Sequence, residues 1–269
     1  MMDSYKKLDI RVQEWIFKQG WTGLREIQSL AIDPILSAQT DVLISASTAA
    51  GKTEAFFLPA ISGVVGQPTG VGILYISPLK ALINDQDRRL ESLSDLMGIP
   101  VTPWHGDSPQ SRKNKLKKSP SGIVLITPES LESLLIRDAG WVKSAFGNLT
   151  YIVIDEFHSF LGCERGHHLL SLLHRLEHLL DRLKTPIPRV ALSATLGDLE
   201  TVPLSLRPNH SLPCEIIKDT RSTSELKIQV KGYVQPAVID HEKHEDAEIK
   251  ICEDLFKFCR GGNHLVFAN

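Results

Sequence analysis

Five short apolar runs, rich in β-branched residues, limit what this chain can fold into: residues 41–45, 72–77, 122–127, 151–155 and 189–193. Each is almost continuously apolar rather than alternating, as expected of a strand covered on both faces. Longer stretches with helical spacing follow them at 52–65, 79–96, 129–137 and 165–183. This alternation predicts an α/β fold: a doubly wound, mostly parallel central sheet with helices on both faces. Ligands in such sheets gather where strands end. The residues just after each run are therefore the place to look for chemistry.

The flanks are less regular. Residues 3–38 read as two or three helices, parted by the turn Gly20-Trp21-Thr22-Gly23. Beyond Thr195, Pro203, Pro208 and Pro213 punctuate what reads as a loop, and Leu226, Ile228 and Val230 alternate as in a half-exposed strand. The charged stretch 240–246 reads as a solvated linker or helix start. A helix over roughly 247–260 ends at Gly261-Gly262, and 264–268 reads as a fresh buried strand.

Composition excludes more than it suggests. A net charge of −2 advertises no nucleic-acid binder, so any such surface must be local. Four scattered cysteines suit neither a disulfide framework nor a CxxC zinc site, and the N-terminus has no apolar signal region. No apolar run is long enough to cross a bilayer, so a cytoplasmic protein with no membrane partner is expected.

Two strand ends carry a recognisable chemistry. Ala46-Ser47-Thr48-Ala49-Ala50-Gly51-Lys52-Thr53 follows the first run and opens a helix, the context of a phosphate-binding loop. Lys52 would reach the β/γ-phosphates of ATP and the Thr53 hydroxyl would bind Mg²⁺; Ala46 replaces the first Gly of the strict pattern. Asp155-Glu156 ends another apolar run. Asp155 would hold the Mg²⁺ and Glu156 would orient the attacking water, giving Lys52, Asp155 and Glu156 the catalytic roles.

With further segments these motifs resemble superfamily 2 helicases of the DEAD/DEAH-box class, with a particular likeness to the large-helicase-related (Lhr-type) branch. Ser77-Pro78-Leu79-Lys80-Ala81-Leu82 looks like motif Ia and Thr127-Pro128-Glu129-Ser130-Leu131 like motif Ib. Asp155-Glu156-Phe157-His158 is the acidic box, and Ser193-Ala194-Thr195 resembles motif III. His105-Gly106-Asp107-Ser108-Pro109-Gln110 and Glu164-Arg165-Gly166 are similar to spacers of that branch, and the likeness runs from about Leu24 to Asn269.

The resemblance implies a RecA-like P-loop NTPase domain. It divides the chain into N-terminal helices with a Q-motif-like segment (1–40), the ATP-binding domain (41–217), a strand and linker (218–247) and the start of a second RecA-like domain (248–269). It makes Gln28 a reader of the adenine edge, against the plainer reading of a surface Gln. It gives His158 a coupling role, with Ser193 and Thr195 as its hydrogen-bond partners. It also puts Ser77, Lys80, Thr127, Glu129 and Arg165 against the backbone of a single DNA or RNA strand. Arg165 has a second reading as a helix-start residue. The basic run Arg112, Lys113, Lys115, Lys117 and Lys118 is either such a contact or an exposed helix face balanced elsewhere.

His174-Arg175-Leu176-Glu177-His178 matches the H-x-x-E-H zinc-protease pattern, but its setting among seven leucines describes a helix packed on a sheet, and a metalloenzyme is rejected. No Gln-x-x-Gly-Arg-x-x-Arg pattern occurs, and the arginines that such motors set against the γ-phosphate belong to a second RecA-like domain, in cis or in trans. The expectation is an incomplete ATP-binding motor domain, weakly active alone. The alternative is a nucleotide-gated nucleic-acid clamp or adaptor that does not unwind.

Overall fold

The computed structural model describes residues 2–47, 50–67, 69–194, 201–219, 229–233 and 247–267. Helices α1 (Met2–Tyr5), α2 (Ile10–Lys18) and α3 (Glu26–Ser37) lead into β1 (Asp41–Ser45) and α4 (Lys52–Val64). Next come β2 (Gly70–Ile76), α5 (Lys80–Met97), β3 (Val101–Trp104), α6 (Gln110–Lys118) and β4 (Ser121–Ile126). Helices α7 (Pro128–Arg137) and α8 (Ala139–Ala145) precede β5 (Tyr151–Ile154), a 3-10 turn (Phe157–Phe160) and α9 (Glu164–Leu179). Strand β6 (Arg189–Ser193), α10 (Val202–Leu206), β7 (Cys214–Lys218) and α11 (Ala247–Cys259) complete the series.

The seven strands form one sheet in the order β3-β4-β2-β5-β6-β1-β7, and every described pair is parallel. Side chains alternate across the pleat, which explains why the central runs are apolar throughout. Val42, Ile44, Ile73, Tyr75 and Val153 face one core with Ile27, Ile32, Phe56 and Phe57 of α3 and α4. Leu43, Leu74, Ile76, Ile152 and Ile154 face the other with Leu131, Leu172 and Leu173 of α7 and α9.

The five predicted strands are present, and two more flank them. The stretch expected as a proline-punctuated loop contains α10 and β7. Strand β3 includes Pro103, which has no N–H to donate, and it lies at an edge of the sheet where a missing donor is tolerated.

Contacts divide the chain into a large unit, residues 1–220, and a small one, residues 221–269. The predicted helix over 247–260 appears as α11. Leu226 and Ile228 lie outside the described residues, and Val230 is exposed without strand pairing. Residues 264–267, expected as a buried strand, pair with nothing among the described residues and expose Leu265, Val266 and Phe267. A single apolar run has no face to bury itself against until neighbouring strands join it.

Candidate nucleotide and nucleic-acid site

The loop after β1 turns into α4 through Gly51, which has a φ of +89°. The turn needs glycine for its dihedral, and a Cβ there would stand 2.7 Å from Gln28 Nε2, so the carboxamide would have to shift. Lys52 folds back over its own loop, donating to the carbonyls of Ala46 (2.8 Å) and Ser47 (3.0 Å). Thr48 and Ala49 lie outside the described residues. Ala50 N–H donates to Ser47 O at 3.2 Å.

Strand β5 ends by delivering Asp155 and Glu156 to the same place. Lys52, Thr53, Asp155 and Glu156 line one cavity of about 130 Å³ together with Tyr75, Gln86 and Arg89. The lysine-bearing loop and the carboxylate pair, about a hundred residues apart in sequence, therefore converge. Burial, with Glu156 adding its charge, raises the Asp155 pKa above its ordinary 3.8; the hydrogen bond donated by Tyr75 Oη and the charge of Lys52 oppose this. Burial also pushes the Lys52 ammonium below its ordinary value, against the pull of Glu156 and Asp155. Tyr75 itself is held protonated by burial and by its carboxylate neighbour. Glu156 sits in the left-handed region at φ +47°, where a side chain costs on the order of 1–3 kcal/mol. That strained turn separates the two carboxylates.

A second cavity, about 580 Å³, adjoins the first through Gly51, Glu54 and Arg89. It is walled by the Gly20–Gly23 turn, Arg25 and Gln28. Gln28 is only 3% exposed, so the plain surface reading is overturned. Its Oε1 accepts from Arg25 N–H at 2.9 Å, which orients the carboxamide against Gly51.

His158 links the acidic box to motif III, but not through the groups expected. Its Nδ1 accepts from the backbone N–H of Ala194 at 3.4 Å. Ser193 Oγ is buried without a hydrogen-bond partner among the described residues, and Thr195 lies outside them. The same Nδ1 stands 3.4 Å from Glu156 Oε2. It can accept from Ala194 or, protonated, donate to Glu156, but not both.

The residues expected to face nucleic acid also come together. Arg165 donates to Glu129 Oε1 from Nε (3.0 Å) and Nη2 (2.8 Å), and to Pro78 O (2.8 Å), joining α9 to motifs Ia and Ib. Gly166 makes this possible, since a Cβ there would lie 1.9 Å from Phe160 O. Two of those residues are not exposed to a strand as expected: Thr127 caps α7, accepting from Ser130 N–H at 3.4 Å, and Ser77 is fully buried, its hydroxyl without a partner among the described residues. Lys80 reaches Asp107 at 2.8 Å on the surface. The basic run is largely occupied internally. Arg112 chelates Asp87 and reaches Val101 O, Lys113 bonds His105 O, and Lys117 bonds Asp138. That leaves Lys115 and Lys118 for any external anion and favours the balanced-face reading.

Glu177, the acid of the zinc-protease look-alike, is buried and bonded to Arg189 (2.8 Å) and Arg207 (3.2 Å). It belongs to an ion cluster at the other end of the sheet. The roughly 660 Å³ crevice between α5 and α6 is lined by charges such as Asp87 and Arg112 that already pair with each other.

Sequence reasoning missed Tyr75, Glu54, Gln86 and Arg89. Each lies inside an ordinary strand or helix pattern, and only the packing of β2, α4 and α5 brings them to the cavity.

Comparison with known proteins places these features in context. The family model described as DEAD/DEAH box helicase matches residues 25–202. The chain is 33% identical to the ATP-dependent helicase Lhr-Core of Methanothermobacter thermautotrophicus, over 96% of this chain and 31% of that protein. It is 32% identical to the Lhr helicase/probable uracil glycosylase of Mycolicibacterium smegmatis, over 99% of this chain and 18% of that protein. Among solved structures, Mycobacterium smegmatis helicase Lhr bound to ssDNA and AMP-PNP superposes with a TM-score of 0.77 at 28% identity, covering 97% of this chain and 33% of that one. The DUF1998 helicase MrfA bound to DNA and AMPPNP gives 0.68 at 27% identity, covering 79% and 29%. The chain thus spans about a third or less of the length of these relatives. Among the described residues, no helix is long and apolar enough to cross a membrane.

Proposed function

Since this chain belongs to the DEAD/DEAH box helicase family and carries the RecA-like helicase domain of its Lhr-type relatives, we propose that it binds Mg·ATP at the end of β1 and β5 and acts as the first motor domain of a nucleic-acid helicase or translocase. The observation that carries this reading is the single cavity shared by Lys52, Thr53, Asp155 and Glu156.

The roles follow from position and chemistry. Lys52 exchanges its bonds to the Ala46 and Ser47 carbonyls for β- and γ-phosphate oxygens. The loop from Ala46 to Gly51 and the α4 N-terminus present backbone N–H groups to the phosphates. Thr53 and Asp155, a hydroxyl and a carboxylate, are the all-oxygen donor pair that suits Mg²⁺, which when bound neutralises charge on the phosphate oxygens. Glu156 orients the attacking water. Gln28 offers its carboxamide to the adenine edge from the adjoining cavity. His158 and Ala194 carry the state of the site toward motif III, with Thr195 the remaining motif III candidate.

Lhr and MrfA were each solved with DNA. By extension, Lys80, Glu129 and Arg165 form the face that meets the backbone of one DNA or RNA strand, with the buried Ser77 and the cap residue Thr127 shaping it from beneath. The pairing of Arg165 with Glu129 and Pro78 makes Arg165 an organiser of that face as well as a candidate contact. Motion along the strand would need a second RecA-like domain to close on this one, and a cation from that domain would speed hydrolysis by several orders of magnitude. Alone, the 269 residues would turn over slowly.

Nucleotide turnover tests the reading, measured with single-stranded DNA or RNA and with a second RecA-like domain of an Lhr relative supplied in trans. Strand-stimulated ATPase is the expected result. Nucleotide and strand binding with persistent inertness would favour the clamp instead. In the active mixture Glu156→Gln should keep Mg·ATP binding and slow turnover by about 10²–10⁴-fold. Unchanged turnover would remove Glu156 from its role.

A further inference from the structure

Glu54 lies where the two cavities meet. It is in the first turn of α4 and lines both the phosphate-side cavity, with Lys52 and Asp155, and the base-side cavity, with Gln28 and the Gly20–Gly23 turn. A nucleotide with its phosphates on the loop and its base at Gln28 must pass its sugar across this seam.

The chemistry of a carboxylate narrows what Glu54 can do there. An ionised Glu only accepts hydrogen bonds. Phosphate oxygens are also acceptors and carry the same charge, so Glu54 repels them. The donors a purine nucleoside triphosphate offers are the amino group of the base, on the Gln28 side, and the hydroxyls of its ribose. Among the described residues, Glu54 is the one carboxylate lining the base-side cavity.

Its position is fixed from a separate helix. Arg89 of α5 donates from Nη2 to Glu54 Oε1 at 2.6 Å, and among the described residues Oε2 accepts no bond. The pair is half-sheltered, with Glu54 24% and Arg89 45% exposed, so water competes with it only partly. One oxygen is engaged and the other is available at the seam.

We propose that Glu54, positioned by Arg89, reads the sugar of the bound nucleotide by accepting a hydrogen bond from a ribose hydroxyl through Oε2. This rests on the nucleotide reading above. It adds a selection for ribonucleotides over deoxyribonucleotides that the phosphate loop, blind to the sugar, cannot make. Acidic residues serve this purpose in dinucleotide-binding folds for the same chemical reason.

Isothermal titration of the full 269-residue chain with Mg²⁺ and ATP, 2′-deoxy-ATP or 3′-deoxy-ATP tests it. At least one deoxynucleotide should bind about tenfold or more weakly than ATP, as expected for loss of a hydrogen bond to a charged acceptor. In Glu54→Ala the preference should fall to within about twofold. Arg89→Gln, which leaves the acceptor but frees it, should narrow the preference without removing it. Equal binding of all three nucleotides to the wild type, or an undiminished preference in Glu54→Ala, overturns the proposal. Either result leaves the nucleotide site standing if Lys52→Ala abolishes ATP binding. A wild-type chain that binds no ATP overturns both. The wild-type comparison needs no variant to fold.

Discussion

The two ends of the sheet bury charge in opposite ways. At the amino end of β1 and β6, Asp41, Glu177, Arg189 and Arg207 form a closed cluster of two acids and two cations. Arg207 bonds Asp41 from Nε (2.6 Å) and Nη2 (3.1 Å), bonds Glu177 (3.2 Å) and reaches Ile187 O (2.7 Å). Arg189 bonds Glu177 (2.8 Å) and Leu206 O (2.8 Å), and its N–H donates to Asp41 (2.8 Å). At the carboxyl end, Lys52, Asp155 and Glu156 crowd together with fewer partners, and burial moves Lys52 and Asp155 away from their ordinary ionisation, as it lowers Arg189 at the amino end. Among the described residues, Ser77 Oγ, Ser193 Oγ and Gln86 Nε2 are buried without partners at the carboxyl end, as are Arg189 Nε and Thr40 Oγ1 at the amino end. The amino end neutralises its charges internally, while the carboxyl end holds charges that a ligand would complement. On the nucleotide reading proposed above, the second set is the one held for chemistry.

The largest effect that could break this contrast lies at the closed end. Arg207 is 3% exposed and Asp41 1%, so Arg207→Ala should leave Asp41 buried without a cation, Glu177 keeping Arg189, and cost about 3–5 kcal/mol in urea unfolding. Nucleotide affinity of the folded fraction should not change. A loss below about 1 kcal/mol would mean the cluster is not the clamp described here.

Asp155→Asn should do the reverse. The raised folded-state pKa of Asp155 means that this residue's own contribution to stability is greatest below the unfolded value of 3.8. It declines as pH rises through the raised folded value, because the ionised carboxylate is disfavoured by burial. Asn lacks that dependence. The variant should therefore be the more stable protein at pH 8, and its advantage should vanish as pH falls toward 3.8, while Mg·ATP binding is lost. Parallel unfolding curves across pH would sink the claim that the carboxyl end trades stability for ligand binding.

Ser193→Ala sharpens the same point with a small effect. Its hydroxyl is buried and makes no bond among the described residues, so removal should be neutral or slightly stabilising, within about 1 kcal/mol in the same urea assay. A larger loss would reveal a partner for that hydroxyl and narrow the contrast.

How much of this was legible in sequence depends on what each feature needs. The central strands announced themselves because a parallel strand covered on both faces must be apolar at every position. Edge strands β3 and β7 did not. Pro103 interrupts one, and Glu215 and Lys218 make the other read as a polar loop after Pro213. Lys52 and Asp155 were legible because the loop and the strand end have fixed local patterns. Their surroundings were not: Tyr75 reads as one more strand residue, and Glu54 and Arg89 as ordinary helix-surface charges. The run Arg112 to Lys118 was visible as charge, but nothing in its spacing indicates that Asp87 and Asp138 already hold two of its members.

The contact between His158 and Ala194 has a consequence for how this domain tolerates change. The donor at 194 is the main chain, so the link between His158 and Ala194 is written in the backbone rather than in a side chain. Replacements at 194 would leave that wire intact, proline alone excepted, since only proline removes the amide hydrogen. Genetic drift at the position is therefore nearly silent to the connection, which can be cut cleanly only from the imidazole side.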